Sequence, residues 1–200
     1  MKITQTTFVL DRTKFKTVTD RAVNAGLTRA AVVAVKAIKM SFSKNGKFRP
    51  SAPGTPPNRN RGLLANSIAS TKAENKVAYV YTSGVAYARI QEFGGVIRRF
   101  DRLLTVPLNQ EAARMRERTY SLYSQHLFFM KTKSGRKILF DARNKRSKVK
   151  SLRPMFLLTS TVKMPPRPYM APAFRNPTVI AEMTKAFCQA SKATLLGVIS

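Results

Sequence analysis

Residues Arg12 to Phe42 read RTKFKTVTDRAVNAGLTRAAVVAVKAIKMSF. No proline or turn cluster interrupts them, and apolar residues recur as Phe15, Val18, Ala22, Gly26, Ala30, Val33, Ala37 and Met40. That spacing is the period of an α-helix, and at the helical rise the stretch runs about 45 Å. A second stripe of Val23, Leu27, Ala34 and Ile38 widens the apolar face, while Arg21, Asn24, Thr28, Lys36 and Lys39 take the polar side. The helix is expected to lie on a sheet or a neighbouring subunit, with its alanine-rich half buried on two sides.

At the other end of the chain, Pro177 suits the first turn of a closing helix that runs to about Val198. Its inward stripe is read as Ile180, Met183, Phe187, Ala190 and Thr194. Cys188, the single cysteine, excludes an internal disulfide and is expected to be a small buried residue within this helix.

Between the helices the chain changes character several times. Ser43 to Arg61 holds four prolines and two glycines, with Lys44, Lys47, Arg49, Arg59 and Arg61 and no acid, and reads as a long irregular loop. Gly62 to Ile68 opens an ordered element, and Lys76 to Ser83 alternates as a strand ending at the Ser83-Gly84 turn. Tyr87 to Phe93 leads into Gly94-Gly95, a pair that permits positive φ and a sharp reversal.

Asn109 to Tyr123 is expected to form a short helix. His126 to Met130 and Lys137 to Phe140 read as strands of a hairpin around Ser134-Gly135, with Lys131, Lys133, Arg136 and Lys137 at its turn. The basic run of Arg143, Lys145, Arg146, Lys148, Lys150 and Arg153 follows, and Met155 to Thr161 reads as a further strand. Prolines 165, 166, 168 and 172 then make the segment MPPRPYMAPAF extended and stiff.

Charge is the outlier in composition: 37 Lys and Arg against 9 Asp and Glu give a formal +28. Such an excess repels itself, so it calls for a polyanionic partner, with nucleic acid first and an anionic membrane surface second. No apolar run is long enough to span a bilayer, and the N-terminus lacks the apolar core of a secretion signal, so a soluble protein made in the cytoplasm is expected.

Catalysis has little to work with. His126 is the only histidine and stands without a nearby carboxylate, the acids are scattered singly, and no paired metal-ligand or phosphate-loop spacing occurs. Glu92 has the most distinctive context, and a role in bracing the tight turn suits it better than acid-base work. No enzyme, cofactor, metal or small-molecule substrate is expected. Zinc-finger spacing and RNP-type aromatics are also absent. Dense Lys and Arg in loops instead fit phosphate neutralisation without base readout.

Three segments share an order that is informative together. They are Gly62, Leu64, Ser67 and Ile68; then Tyr87, Glu92, Phe93, Gly94 and Gly95; then Arg167, Pro168, Tyr169 and Pro172. This trio, after a long helix and a Pro-rich loop, resembles the tail-component or tail-completion family of long-tailed bacteriophages. Its members pair G-x-L-x-x-S-I with Y-A-x-x-x-E-F-G and end in P-x-R-P-F before a C-terminal helix.

The resemblance covers about Arg12 to Ala73, Lys76 to Gly95 and Met164 onward. It departs from the pattern where Val96 to Lys163 intervenes between the second and third segments, and where Tyr169 replaces phenylalanine. It implies a virion protein of the neck or tail top, forming a typically hexameric ring that binds the tail terminator, tail tube or head connector around non-specifically held double-stranded DNA. A soluble nucleic-acid-binding protein of nucleoid or ribosomal type is the alternative.

The expected fold is α+β: a small, mainly antiparallel sheet with the long N-terminal and C-terminal helices packed on it, plus an inserted α/β-hairpin subdomain. Residues 1–95 and 164–200 are expected to form the core domain, and residues 96–163 the basic insertion.

Overall fold

A computed structural model describes residues 11–42, 50–118, 127–141 and 153–197. The fold is α+β, with a long N-terminal helix, a C-terminal helix and small antiparallel sheets. The chain divides into two compact units. The first comprises Met1–Phe42, Arg61–Ala88 and Tyr169–Ser200, and the second comprises Ser43–Asn60 and Arg89–Pro168. The Pro-rich loop, the Gly94 turn and the Pro166-Arg167 segment therefore group with the stretch read as an insertion, through the backbone pairing described below.

In the first unit, helix α1 spans Arg12–Ser41. Asp11 caps it by accepting from the amides of Thr13 and Lys14, which satisfies donors that a helix start leaves open. Apart from Ala31, its buried positions advance by four, as Ala22, Gly26, Ala30, Ala34 and Ile38, with Phe42 next in the series. Such a row winds slowly around the helix, because four residues exceed one turn. Its small members face the C-terminal helix α6 (Pro177–Leu196), where the Ser191 hydroxyl donates to the Ala22 carbonyl at 3.0 Å. Its large members Ile38 and Phe42 enter the core.

That core joins Ile38 and Phe42 to Leu64 and Ala65 of helix α2 (Leu63–Asn66), Ile68 of strand β1 (Ile68–Ser70), Tyr169, and Ala173 of the short helix α5 (Ala171–Arg175). The rings of Phe42 and Tyr169 lie 5.4 Å apart. Strand β1 pairs antiparallel with β2 (Val80–Thr82).

The strand expected from Lys76 is shorter than its alternation implies. Asn75 and Lys76 both take positive φ, and Glu74 and Val77 exchange backbone hydrogen bonds around them. This is a two-residue reversal of the mirror-image type. Polar residues of α1 hold it: Thr28 accepts from the Ala73 amide, Asn24 from the Lys76 amide, and Asp20 pairs with the Lys76 ammonium at 2.7 Å.

Helix α6 buries no residue fully, and Ile180, expected on its inward stripe, is nearly half exposed. Cys188 is exposed rather than buried. Its neighbour Phe187 is the residue that turns toward Gly26.

In the second unit, helix α3 (Ala88–Phe93, whose first residue closes the first unit) ends at Gly94, and strand β3 (Gly95–Arg98) pairs with β8 (Thr161–Met164) as a two-stranded ribbon. A four-stranded antiparallel sheet has the order β4 (Leu104–Pro107), β7 (Pro154–Thr159), β6 (Lys137–Asp141), β5 (Leu127–Lys131). Helix α4 (Gln110–Arg118) packs Ala112 and Met115 against Met155, Phe156, Leu127 and Leu139. Asn109 fixes its start, accepting from the Ala112 amide and donating to the Pro154 carbonyl.

Candidate functional site

The densest described cationic feature is the β5–β6 hairpin end. Lys131 and Lys137 are direct cross-strand partners. Between them the chain reverses through Gly135 at φ 77°, with Thr132 and Arg136 hydrogen-bonded across the base of the loop. Lys131, Lys133, Arg136 and Lys137 are all exposed, and none is ion-paired with a described residue. Like charges placed directly opposite one another destabilise an antiparallel pair. An anion resting on the hairpin end removes that penalty.

Other predicted basic residues are not gathered there. Arg153 precedes β7 at the opposite end of β6, where its carbonyl accepts from the Asp141 amide, and its guanidinium stands 3.9 Å from Glu111. Arg59 is half-buried and Arg61 exposed. Lys44, Lys47, Arg49, Arg143, Lys145, Arg146, Lys148 and Lys150 lie outside the described residues, as does His126.

The three motif segments have structural roles within their units. In the first unit Leu64, Ile68 and Tyr169 share the core, Ser67 donates to the Leu64 carbonyl, and the Tyr169 hydroxyl meets Thr82 at 3.2 Å. Gly62 takes φ 79° to start α2.

In the second unit Gly94 adopts φ 71° directly against the Met164–Pro166 backbone. The Arg167 amide donates to the Gln91 carbonyl at 2.7 Å, and its side chain donates to the Ser51 carbonyl at 2.9 Å. The Gly54 amide donates to the Pro166 carbonyl, which docks the Pro-rich loop on the same segment. Glu92 and Arg167 are the buried charged side chains among the described residues. Gly95, at φ 152°, begins the ribbon.

The remaining motif residues face outward. Tyr87 and Phe93 are exposed, Phe93 at 75%, and Pro172 is exposed beside buried Ala173. The sequence pattern groups all of these as one structural motif. The geometry divides them into a buried set that holds the fold and an exposed set, Tyr87, Phe93 and Pro172, that does not.

No family model, curated protein or solved structure matches this chain.

Among the described residues no three His, Cys, Asp or Glu side chains cluster to hold a metal ion, and no helix is long and apolar enough to cross a membrane. One open groove in the first unit is lined by Asn24, Thr28, Arg29, Val32, Lys72 and Ala190, and one in the second by Leu103, Arg136, Lys137, Leu158 and Ser160. Both present cations without a carboxylate. They suit anion contact rather than proton transfer.

Sequence reasoning misses the exposed apolar side chains of the β3–β8 ribbon. Val96, Ile97 and Phe100 stand open beside Arg98 and Arg99. Their signal is an apolar and aromatic series interrupted only by arginines.

Proposed function

We propose that this chain is a structural protein of the head-tail junction of a long-tailed bacteriophage, a tail-completion or neck component. Its copies form a ring, with six as the expected number, around the DNA channel and contact terminator, tail-tube or head-connector proteins. The observation that carries this reading is that the segments of the ordered trio engage one another within their units. Leu64 and Ile68 meet Tyr169 in one core, and Gln91 and Gly94 meet Pro166 and Arg167 at one crossing. That the first and second segments each meet the third supports reading the three together, as the resemblance does.

Charge supports the same reading. A ring of subunits each formally +28 closes against strong self-repulsion unless a polyanion runs through it, and duplex DNA is such a polyanion. The cationic hairpin end is the surface proposed to face the phosphates. It also favours the second reading, a non-specific nucleic-acid-binding protein that works without a ring.

Sedimentation of the purified chain with and without a short DNA duplex separates the two. The neck reading expects a discrete closed oligomer, and the second reading expects duplexes decorated in proportion to their length. A chain that neither binds duplex nor assembles contradicts both.

A further inference from the structure

The β3–β8 ribbon is unusual in being open where a packed domain closes. Every residue of β3 is exposed, and among the described residues β3 pairs with β8 only, which leaves its other edge free. Val96 and Arg98 alternate on one face, opposite Lys163 and Thr161 in register. Phe100 follows, 96% exposed. An unprotected edge of this kind is a template for strand addition. A large aromatic residue held in the open is the usual anchor of a protein interface.

We propose that β3 and its end at Phe100 dock an extended acidic segment of another protein, which adds to the free edge. Acidic side chains of that segment meet Arg98 and Lys163, and its apolar ones cover Val96 and Phe100. Charge complementarity identifies the occupant. A second copy does not supply it, because the nine acids of this chain are spread so that the closest two are Glu111 and Glu117, and no extended acidic run exists. Nucleic acid fits less well, since Phe100 offers one ring for base stacking and the aliphatic Val96 and Ile97 beside it offer none. The surface suited to nucleic acid is the hairpin end, where Lys131, Lys133, Arg136 and Lys137 lie together. Ring formation plays no part in this docking, so failure of the experiment below leaves the neck assignment standing.

The test uses two fluorescein-labelled synthetic peptides read by anisotropy against the full chain: one alternating Glu and Val, and one of equal charge with Ser in place of Val. The Val peptide is expected to bind about tenfold more tightly, the scale of burying one or two apolar side chains. Phe100→Ser should abolish that preference while leaving thermal unfolding unchanged. Arg98→Glu should weaken the Val peptide more than Arg136→Glu, which changes net charge equally at the hairpin.

Equal binding of the two peptides, or equal effects of the two charge reversals, overturns the proposal in favour of diffuse attraction. Two other results also overturn it: self-association that Phe100→Ser abolishes, and a matching loss of oligo(dT) binding in that variant.

Discussion

Glycines make the sharpest residue-scale tests because their neighbours differ. Gly94 and Gly84 both have positive φ, at 71° and 69°. A Cβ on Gly84 meets nothing, whereas one on Gly94 lies 2.8 Å from the Pro166 nitrogen and 2.9 Å from the Met164 oxygen. Gly84→Ala should cost about 1 kcal/mol from backbone conformation. Gly94→Ala should cost at least about 2 kcal/mol more, because backbone must move to admit it. Urea unfolding of the two variants checks this, and equal losses would show that crowding at Gly94 has no weight.

Gly26 is constrained by packing, since a Cβ there runs into the Ser191 hydroxyl and the Phe187 ring. Gly26→Val should lower stability by about 1–3 kcal/mol, read as a shift in the urea midpoint at unchanged slope. Paired glycines announce the Gly94 turn in the sequence. Nothing local distinguishes Gly26 from the alanines around it, because its constraint comes from a helix at the far end of the chain.

Among elements, legibility in the sequence follows how each one is buried. Helix α1 and the β5–β6 hairpin are readable because a long apolar period and a Ser-Gly turn are local signals. Strand β3 is not, since a strand exposed on both faces has no reason to alternate, and β8 alternates as Thr-Val-Lys-Met over too few residues to stand out. Strand β4 escapes notice because Leu104 to Pro107 is half-buried throughout and ends at a proline. At Lys76 the alternation misleads, because the outward Tyr79 and Tyr81 mimic a strand continuing into what is a reversal. The cationic character of the hairpin is plain in the sequence, but its like-charge register is visible only once the strands are aligned.

That register gives an element-scale prediction with opposite signs. Lys131→Glu should stabilise the fold by about 0.2–1 kcal/mol by turning a repulsive cross-strand pair into an attractive one. It should also weaken duplex binding and flatten its salt dependence by roughly 0.9 for each phosphate no longer neutralised. Thermal unfolding and a salt titration of binding measure the two arms. A variant that binds DNA undiminished would remove the hairpin end from the interface.

For the whole molecule, the governing quantity is a surplus of 28 positive charges on a chain with two modest cores. Copies of such a chain repel one another, so assembly should depend on a polyanion and on ionic strength. Raising salt from about 50 mM to about 500 mM should screen subunit repulsion yet strip off DNA, because counterion release dominates binding. Electron microscopy of the purified chain mixed with short duplex DNA decides whether it assembles as a neck component. Closed rings of uniform subunit number with a central opening are expected. Monomers dispersed along the duplexes, with no closed rings at any salt concentration, would contradict the neck assignment.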